Sequence, residues 1–267
     1  MGAGHTRFGA LEEGPRALLR TAVDAAFRSV DRGAERARVR EAFLATLGFG
    51  GWQIGNAAAV LGEESDRAGI PTTRVENACA SGGFALRAGA RAVEAGSDGL
   101  VLVAGLEKMT DLLAPRRRYW LGVSGDTEWE RLAGLTFAGV YGLIASTYAD
   151  RYPSAREAMA EVAVKNHDNG SRNPNAHFQK RIAREAVRAA PRVADPLGLY
   201  DCCPVSDGAA AVLLAPADRA RDYTDTPVYL DAVGAASDRL AVQERPDLAR
   251  FPATERAAAE AFASTDL

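Results

Sequence analysis

Apolar and polar positions fall into short blocks over the first hundred residues. In residues 15–30, Ala17, Leu18, Ala22, Ala25, Ala26 and Phe27 lie near one face at helical spacing. Residues 42–49 read as a strand closed by Gly50-Gly51, and residues 56–68 as a helix that stops at Gly69 with Pro71 just beyond. Residues 72–77 are extended, and residues 83–95 form a small-residue helix closed by Gly96. Residues 100–104 are an unbroken apolar run, the pattern of a strand buried on both faces. Residues 1–9 read as a strand end or turn. Strands alternating with helices at this spacing predict an α/β fold with a parallel sheet.

The middle of the chain differs. Residues 111–190 carry most of the aromatic side chains, the run Arg116-Arg117-Arg118, and helix-like segments at 137–152 and 155–166. Residues 166–179 are polar and loop-like. The sheet pattern resumes at residues 209–215 (AAAVLLA) and again at 227–236 (PVYLDAVGAA), and a last helix-like run covers 253–263. The expected organisation is therefore a first sheet-and-helix part at 1–110, an inserted subdomain at 111–190, a return to the sheet at 191–240, and the start of a further part at 241–267. No internal repeat or low-complexity segment interrupts this.

Composition narrows the partners. The 267 residues are 47% hydrophobic, enough for a sizeable core, and the net charge of −3 with a pI near 5.8 favours neither nucleic acid nor an anionic membrane. No apolar run approaches the roughly 20 residues that span a bilayer. The N-terminal MGAGHTRFGALEEG lacks the charged and apolar regions of a signal peptide, so a cytoplasmic location is expected. Cysteine occurs only at Cys79, Cys202 and Cys203, which fits a reducing compartment, and with scattered histidines this set lacks the spacing of a zinc site. Lysine occurs only at 108, 165 and 180, so the basic residues are nearly all arginine. With the abundant alanine this reads as coding bias, without functional content.

The chemistry centres on VENACASGGFALRAGARAVEAGSDGLVLVAGLEKMT. Cys79 sits where an extended segment hands over to a helix. A helix N-terminus favours negative charge and offers free N–H groups, and a thiol accepts an acyl group as thiolate. Ser81 is a fair N-cap, and Gly82 and Gly83 permit positive φ and close backbone approach. The arrangement is similar to the nucleophile elbow of acyl-transfer enzymes. Taken alone, a cysteine among alanines and glycines is also an ordinary small core residue.

VENACASGGFAL followed by VLVAGLEKMT resembles the thiolase family, most of all its archaeal and sterol-carrier-type branch. There the pattern is Asn-x-Cys-x-Ser-Gly, a small-residue helix, and a strand ending in Gly-x-Glu-x-Met. A second block, YDCCPVSDGAAAVLLA, resembles the family's downstream Asp-Gly-Ala-Ala-Ala signature. The resemblance implies a thiolase-like α/β fold whose N-terminal half carries an inserted loop domain over coenzyme A. It implies acyl transfer between coenzyme A and a cysteine thioester, as acetyl-CoA condensation or 3-ketoacyl-CoA thiolysis within lipid metabolism. Acyl-CoA is then substrate, with no permanently bound cofactor. Cys79 becomes the nucleophile, its N–H lining an oxyanion hole, in a tight homodimer or tetramer whose dyad passes near its strand. Cys203 matches a position where relatives carry serine close to the pantetheine arm, so it either contacts substrate or fills a small-residue pocket. Asp207 and Gly208 are expected to set a turn, Arg116–Arg118 to form a solvated face, and Glu107 and Lys108 match the motif without a derivable chemical role.

Family chemistry also needs a base, which the resemblance assigns to a histidine motif in the C-terminal half. His5, His167 and His177 match no such motif, and FPATERAAAEAFASTDL resembles the opening helix of that half. Three explanations stand: a truncated sequence, one subunit of a split thiolase with the histidine on a separate chain, or a non-catalytic acyl-CoA-binding subunit. A ketoacyl synthase is an enzymatic rival, and an OB-fold partner accompanies some archaeal relatives. Removal of the second half would expose the Ala-rich helix after Cys79, and exposed apolar area of this kind marks an interface or an aggregation risk. The chain alone is therefore expected to be poorly soluble or assembled. Sedimentation as a stable monomer at high concentration would contradict this.

Overall fold

A computed structural model describes residues 2–265. The elements run β1 (Gly2–His5), α1 (Pro15–Arg28), β2 (Val39–Ala45), α2 (Ala57–Glu64), β3 (Thr72–Val75), α3 (Ser81–Glu94), β4 (Leu100–Glu107), α4 (Ala114–Gly122), α5 (Phe137–Arg151), α6 (Ala155–Ser171), α7 (Arg184–Ala189), β5 (Arg192–Ala194), β6 (Leu197–Gly198), β7 (Gly208–Leu214) and α8 (Pro252–Ala263). They divide into two units, Met1–Asp111 with Ser206–Val233, and Leu112–Val205 with Gly234–Leu267. Among the described residues no helix is long and apolar enough to cross a membrane.

The first unit is built on a five-stranded sheet in the order β1-β7-β4-β2-β3. β2 is parallel to both β3 and β4, whereas β7 runs antiparallel to β4 and to β1. The trio β4-β2-β3 is parallel, and β7 and β1 add an antiparallel margin on the β4 side. Alternation along β4 explains its unbroken apolar run. Leu100, Leu102, Ala104 and Leu106 face the larger core under α1 and α2, while Val101 and Val103 face the smaller core under α3. α1 begins with Pro15 in its first turn and buries Leu18, Leu19, Ala22, Val23, Ala26 and Phe27 on one face. It lies close against β1, where a Cβ on Gly4 would come within 2.3 Å of the Ala26 nitrogen. α3 buries only Ser81, Ala85 and Gly89.

Lys108 and Asp207 join the segments that lead into and out of the second unit. Lys108 is 1% exposed and Asp207 fully buried. Lys108 Nζ donates to Asp207 Oδ2 at 2.8 Å, to Asp111 Oδ1 at 2.7 Å and to the Leu11 carbonyl at 2.8 Å. Asp207 also accepts from the Met109 N–H at 2.8 Å, the Thr110 N–H at 2.9 Å and the Leu11 N–H at 3.2 Å. Its backbone pairs with Gly9 in both directions. The expected turn role of Asp207 thus becomes a buried ionic hub, and the motif lysine gains a structural role. Burial by itself raises the Asp207 pKa, but hydrogen bonds from Lys108, Thr110 and the Met109 backbone outweigh it and hold the carboxyl at about 2. Burial likewise pushes Lys108 down, and its bonds to Asp111 and Asp207 more than offset this, leaving its pKa raised.

The second unit is mostly helical. A small core of Ala160, Ala163 and Val187 is flanked by Val164, Ile182 and Tyr200, and β5 and β6 form a separate two-stranded ladder. Glu130 is buried and accepts from the Val242 N–H at 2.6 Å. Arg151 pairs with both oxygens of Asp247 at 2.9 and 3.0 Å. The arginine run lies on α4 with Arg116 and Arg118 exposed.

Two expectations are corrected here. Residues 227–236 form no strand, and Val228 is 84% exposed. An apolar run becomes a strand only when a neighbouring strand meets its backbone groups, and β1 already flanks β7 at that edge. The polar stretch from residue 166 does not begin as a loop either. α6 continues to Ser171, because Asn166–Gly170 still close helical turns before the chain bends at Arg172.

Because the folded pKa of Asp207 lies below the unfolded value near 3.9, its stabilisation is present above that value and fades as pH falls from about 4 toward about 2. Asp207→Asn removes the partner of a buried lysine, with an expected cost of about 3–5 kcal/mol. Urea unfolding at pH 7 measures this, and an unchanged midpoint would show that the ion pair does not hold the unit together.

Candidate active site

Cys79 lies in the single 3-10 turn Ala78–Ala80 between β3 and α3, and its side chain is exposed. β3 is parallel to β2 and ends at the carboxyl edge of the sheet, where loops of α/β proteins gather functional groups. Ser81 is not the N-cap that the sequence suggests. It is the first helical residue, buried, and its hydroxyl closes the turn by accepting from the Asn77 N–H at 2.8 Å and donating to the Ala78 carbonyl at 2.6 Å. Positive φ also falls elsewhere than expected. Ala78 adopts φ 46°, whereas Gly82 and Gly83 have ordinary helical backbones with open space where a Cβ would stand. A left-handed alanine costs roughly 1–2 kcal/mol, so the tied hydroxyl and the start of α3 hold the turn against strain. Among the described residues the Cys79 N–H has no hydrogen-bond acceptor, which leaves it available as an oxyanion donor.

A second loop at the same sheet edge is held from two sides. Glu107, at the end of β4, accepts from Thr46 Oγ1 at 2.9 Å, from the Gly50 N–H at 3.1 Å and from the Leu47 N–H. Arg74, on β3, donates to the carbonyls of Thr46 at 3.1 Å, Leu47 at 2.8 Å and Ile54 at 2.7 Å. Gly50 has φ 64°, and a Cβ there would lie 2.2 Å from the Lys108 carbonyl, so glycine is required. Sequence reasoning missed Arg74 altogether and gave Glu107 no role. The only signal was a charged residue at the end of an apolar strand, which implies a buried partner without naming it.

No histidine in the first unit stands at the cysteine. His5 is on β1 and Cys79 follows β3, the two edge strands, which four spacings of about 4.8 Å set roughly 19 Å apart. His5 Nδ1 is 2.8 Å from the Thr6 carbonyl.

The second unit contains a cleft of about 560 Å³ with Cys203, Cys202 and His167 on its lining. Cys203 is exposed; Cys202 is half-buried, and burial, then the charge of Asp201, pushes its thiol pKa up. His167 Nδ1 lies 2.9 Å from the Lys180 carbonyl. A carbonyl only accepts, so that nitrogen is the donor.

The family model "Thiolase, N-terminal domain" matches residues 2–218. The chain belongs to the thiolase family. It is 43% identical over 250 residues to an acetyl-CoA acetyltransferase of Methanothermobacter thermautotrophicus, covering 90% of this chain and 65% of that protein. It is 34% identical over 267 residues to an acetyl-CoA acetyltransferase of Methanocaldococcus jannaschii, covering 98% of this chain and 67% of the relative. The thiolase chain thus spans about two thirds of the length of these relatives. Its fold is similar to that of the Ltp2-ChsH2(DUF35) aldolase, with a TM-score of 0.83 at 22% identity over 100% of this chain and 69% of that one. The α/β architecture read from the sequence is therefore that of a thiolase fold.

Ser81→Ala removes both bonds that close the Cys79 turn and leaves the Asn77 N–H without its acceptor. The expected loss is about 1–3 kcal/mol in denaturant unfolding with an unchanged m value. A loss near zero would mean that the hydroxyl does not hold the strained turn.

Proposed function

We propose that this chain carries the nucleophile of a thiolase-type acyltransferase. The observation that carries the reading is an exposed Cys79 on a strained, tied turn at the carboxyl edge of the sheet, with its own N–H open. In the proposed step Cys79 Sγ attacks the thioester carbonyl of an acyl-CoA. The C–S bond to coenzyme A breaks, the CoA thiol leaves with the proton given up by Cys79, and the acyl group rests on Cys79. In condensation, a second acyl-CoA gives its α-proton to a base, its enolate carbon attacks the acyl carbon, and the C–S bond to Cys79 breaks. Thiolysis runs the other way: Cys79 Sγ attacks the 3-keto carbonyl of a 3-ketoacyl-CoA, the C–C bond breaks to release the shortened acyl-CoA, which takes up a proton, and a CoA thiol then takes the acyl group from Cys79. Relatives named acetyl-CoA acetyltransferase support acetyl-CoA as one donor. Coenzyme A enters and leaves as substrate.

Cys203 is proposed to contact the substrate, supported by its place on the wall of the cleft. The one histidine of the first unit lies at the opposite sheet edge from Cys79, which supports a general base supplied from outside that unit. This favours a second chain or segment as partner, and the two components named in the Ltp2-ChsH2(DUF35) aldolase are in line with that. It also keeps a second reading in view, that of a subunit that binds CoA esters without forming a thioester.

Intact-mass spectrometry after mixing the chain with acetyl-CoA decides between them. The expected result is an acetyl adduct that Cys79→Ala abolishes. Binding of acetyl-CoA with no adduct, while iodoacetamide still labels Cys79, would overturn acylation by this chain alone.

A further inference from the structure

The cleft of the second unit has a chemistry of its own. Its lining carries five rings: Tyr148 of α5, His167 of α6, His177 and Phe178 of the loop after α6, and Tyr200 of the turn after β6. Four of the rings contact one another. His167 lies nearly parallel to Phe178, with centroids 6.1 Å apart and 9° between planes, and meets Tyr200 edge-on at 5.6 Å. His177 lies 4.5 Å from Phe178. Small groups, Ala155, Ala163 and Gly170 among them, share the lining with Met159, Val162 and Leu197.

Charge is nearly absent. Among the described residues no lysine or arginine lines the cleft. The one carboxylate, Asp201, accepts from the Gly198 N–H at 2.7 Å. Arg172 and Arg181 lie outside the lining, and both pair with Asp168. A phosphate or carboxylate ligand would therefore find no lysine or arginine here, and a volume of about 560 Å³ falls in the range of small-molecule sites. Faces and edges of aromatic rings favour another ring in stacked or edge-on contact, beyond what apolar area alone supplies.

We propose that this cleft is a binding site for an uncharged aromatic group. The inference rests on the acyl-transfer reading only for the step that makes the ring part of an acyl-CoA substrate. The class of acyl group is then aryl-bearing, and the charged nucleotide of coenzyme A lies elsewhere.

Cys203 on the lining reports occupancy. Alkylation of the chain by N-ethylmaleimide is followed by tandem mass spectrometry, which separates Cys203, Cys202 and Cys79, with 3-phenylpropanamide or hexanamide as the probe. The expected result is that 3-phenylpropanamide at ten times its Kd slows Cys203 about tenfold by mass action, leaves Cys79 unchanged, and acts at lower concentration than hexanamide. Ala158→Phe, at an exposed position of α6 that faces the cleft, fills the space and is expected to abolish protection. Equal protection by the two amides, no protection by either, or protection that survives Ala158→Phe would overturn the proposal. Acetylation of Cys79 is measured on the same preparation. Acetylation without ring protection leaves the acyl-transfer reading standing and removes the aryl site. Ring protection without acetylation does the reverse.

Discussion

The fold depends on one buried ion pair. The segment between Asp111 and Ser206 separates two neighbouring strands of the same sheet, β4 and β7. Closing a loop of roughly 90 residues costs about 4 kcal/mol plus a constant in chain entropy. The antiparallel ladder from Val101↔Leu214 to Glu107↔Gly208 opposes that cost, and Lys108–Asp207 fastens its open end. Asp207 gathers bonds from residues 9–11 and 108–110, so three distant parts of the chain meet at one carboxylate. A buried pair of this kind adds little over a well-packed apolar pair, but breaking it strands a charge. Its value here lies in register: the strands can meet in only one alignment if the lysine is to find its acceptors.

The same edge of the sheet positions the candidate chemistry. β2, β3 and β4 are parallel, so their carboxyl ends emerge together and their loops must share limited space. Glu107 and Arg74 satisfy the backbone groups of the 46–54 loop from opposite sides. Ser81 does the same for the Cys79 turn. Each is a short polar clamp on backbone that has no ladder partner, and each lets an irregular segment stay fixed next to a rigid core. The strain at Ala78 is tolerated because the surrounding bonds over-determine the turn.

The second unit follows a different logic. Its hydrophobic cluster is small, and much of its order comes from ion pairs, ring contacts and backbone caps rather than from a continuous core. Aromatic side chains there do not fill a centre. They line a cleft together with small residues of α6. A cluster of rings and an alanine-rich helix would ordinarily pack onto each other; here they stand around open space.

Much of the architecture was legible in the chain. The helical period of residues 15–30, the double-sided run of residues 100–104 and the small-residue helix after Cys79 all became the expected elements, because each pattern reflects which faces are buried. Residues 227–236 misled because an apolar run says nothing about whether a strand partner is free. Ser81 and the two glycines were assigned by residue preference, yet the turn placed its strain at Ala78, since bonds closing around a serine hydroxyl outweigh a local preference. By itself the sequence determined the family, the sheet-and-helix class and the cysteine at the strand-to-helix turn, for these depend on local pattern and short motifs. Only the tertiary structure decided what Lys108, Glu107, Arg74 and Asp207 do and that the rings of the second unit enclose a cleft. Those roles arise from contacts between residues up to nearly two hundred positions apart, as between Leu11 and Asp207, and no local pattern encodes such a meeting.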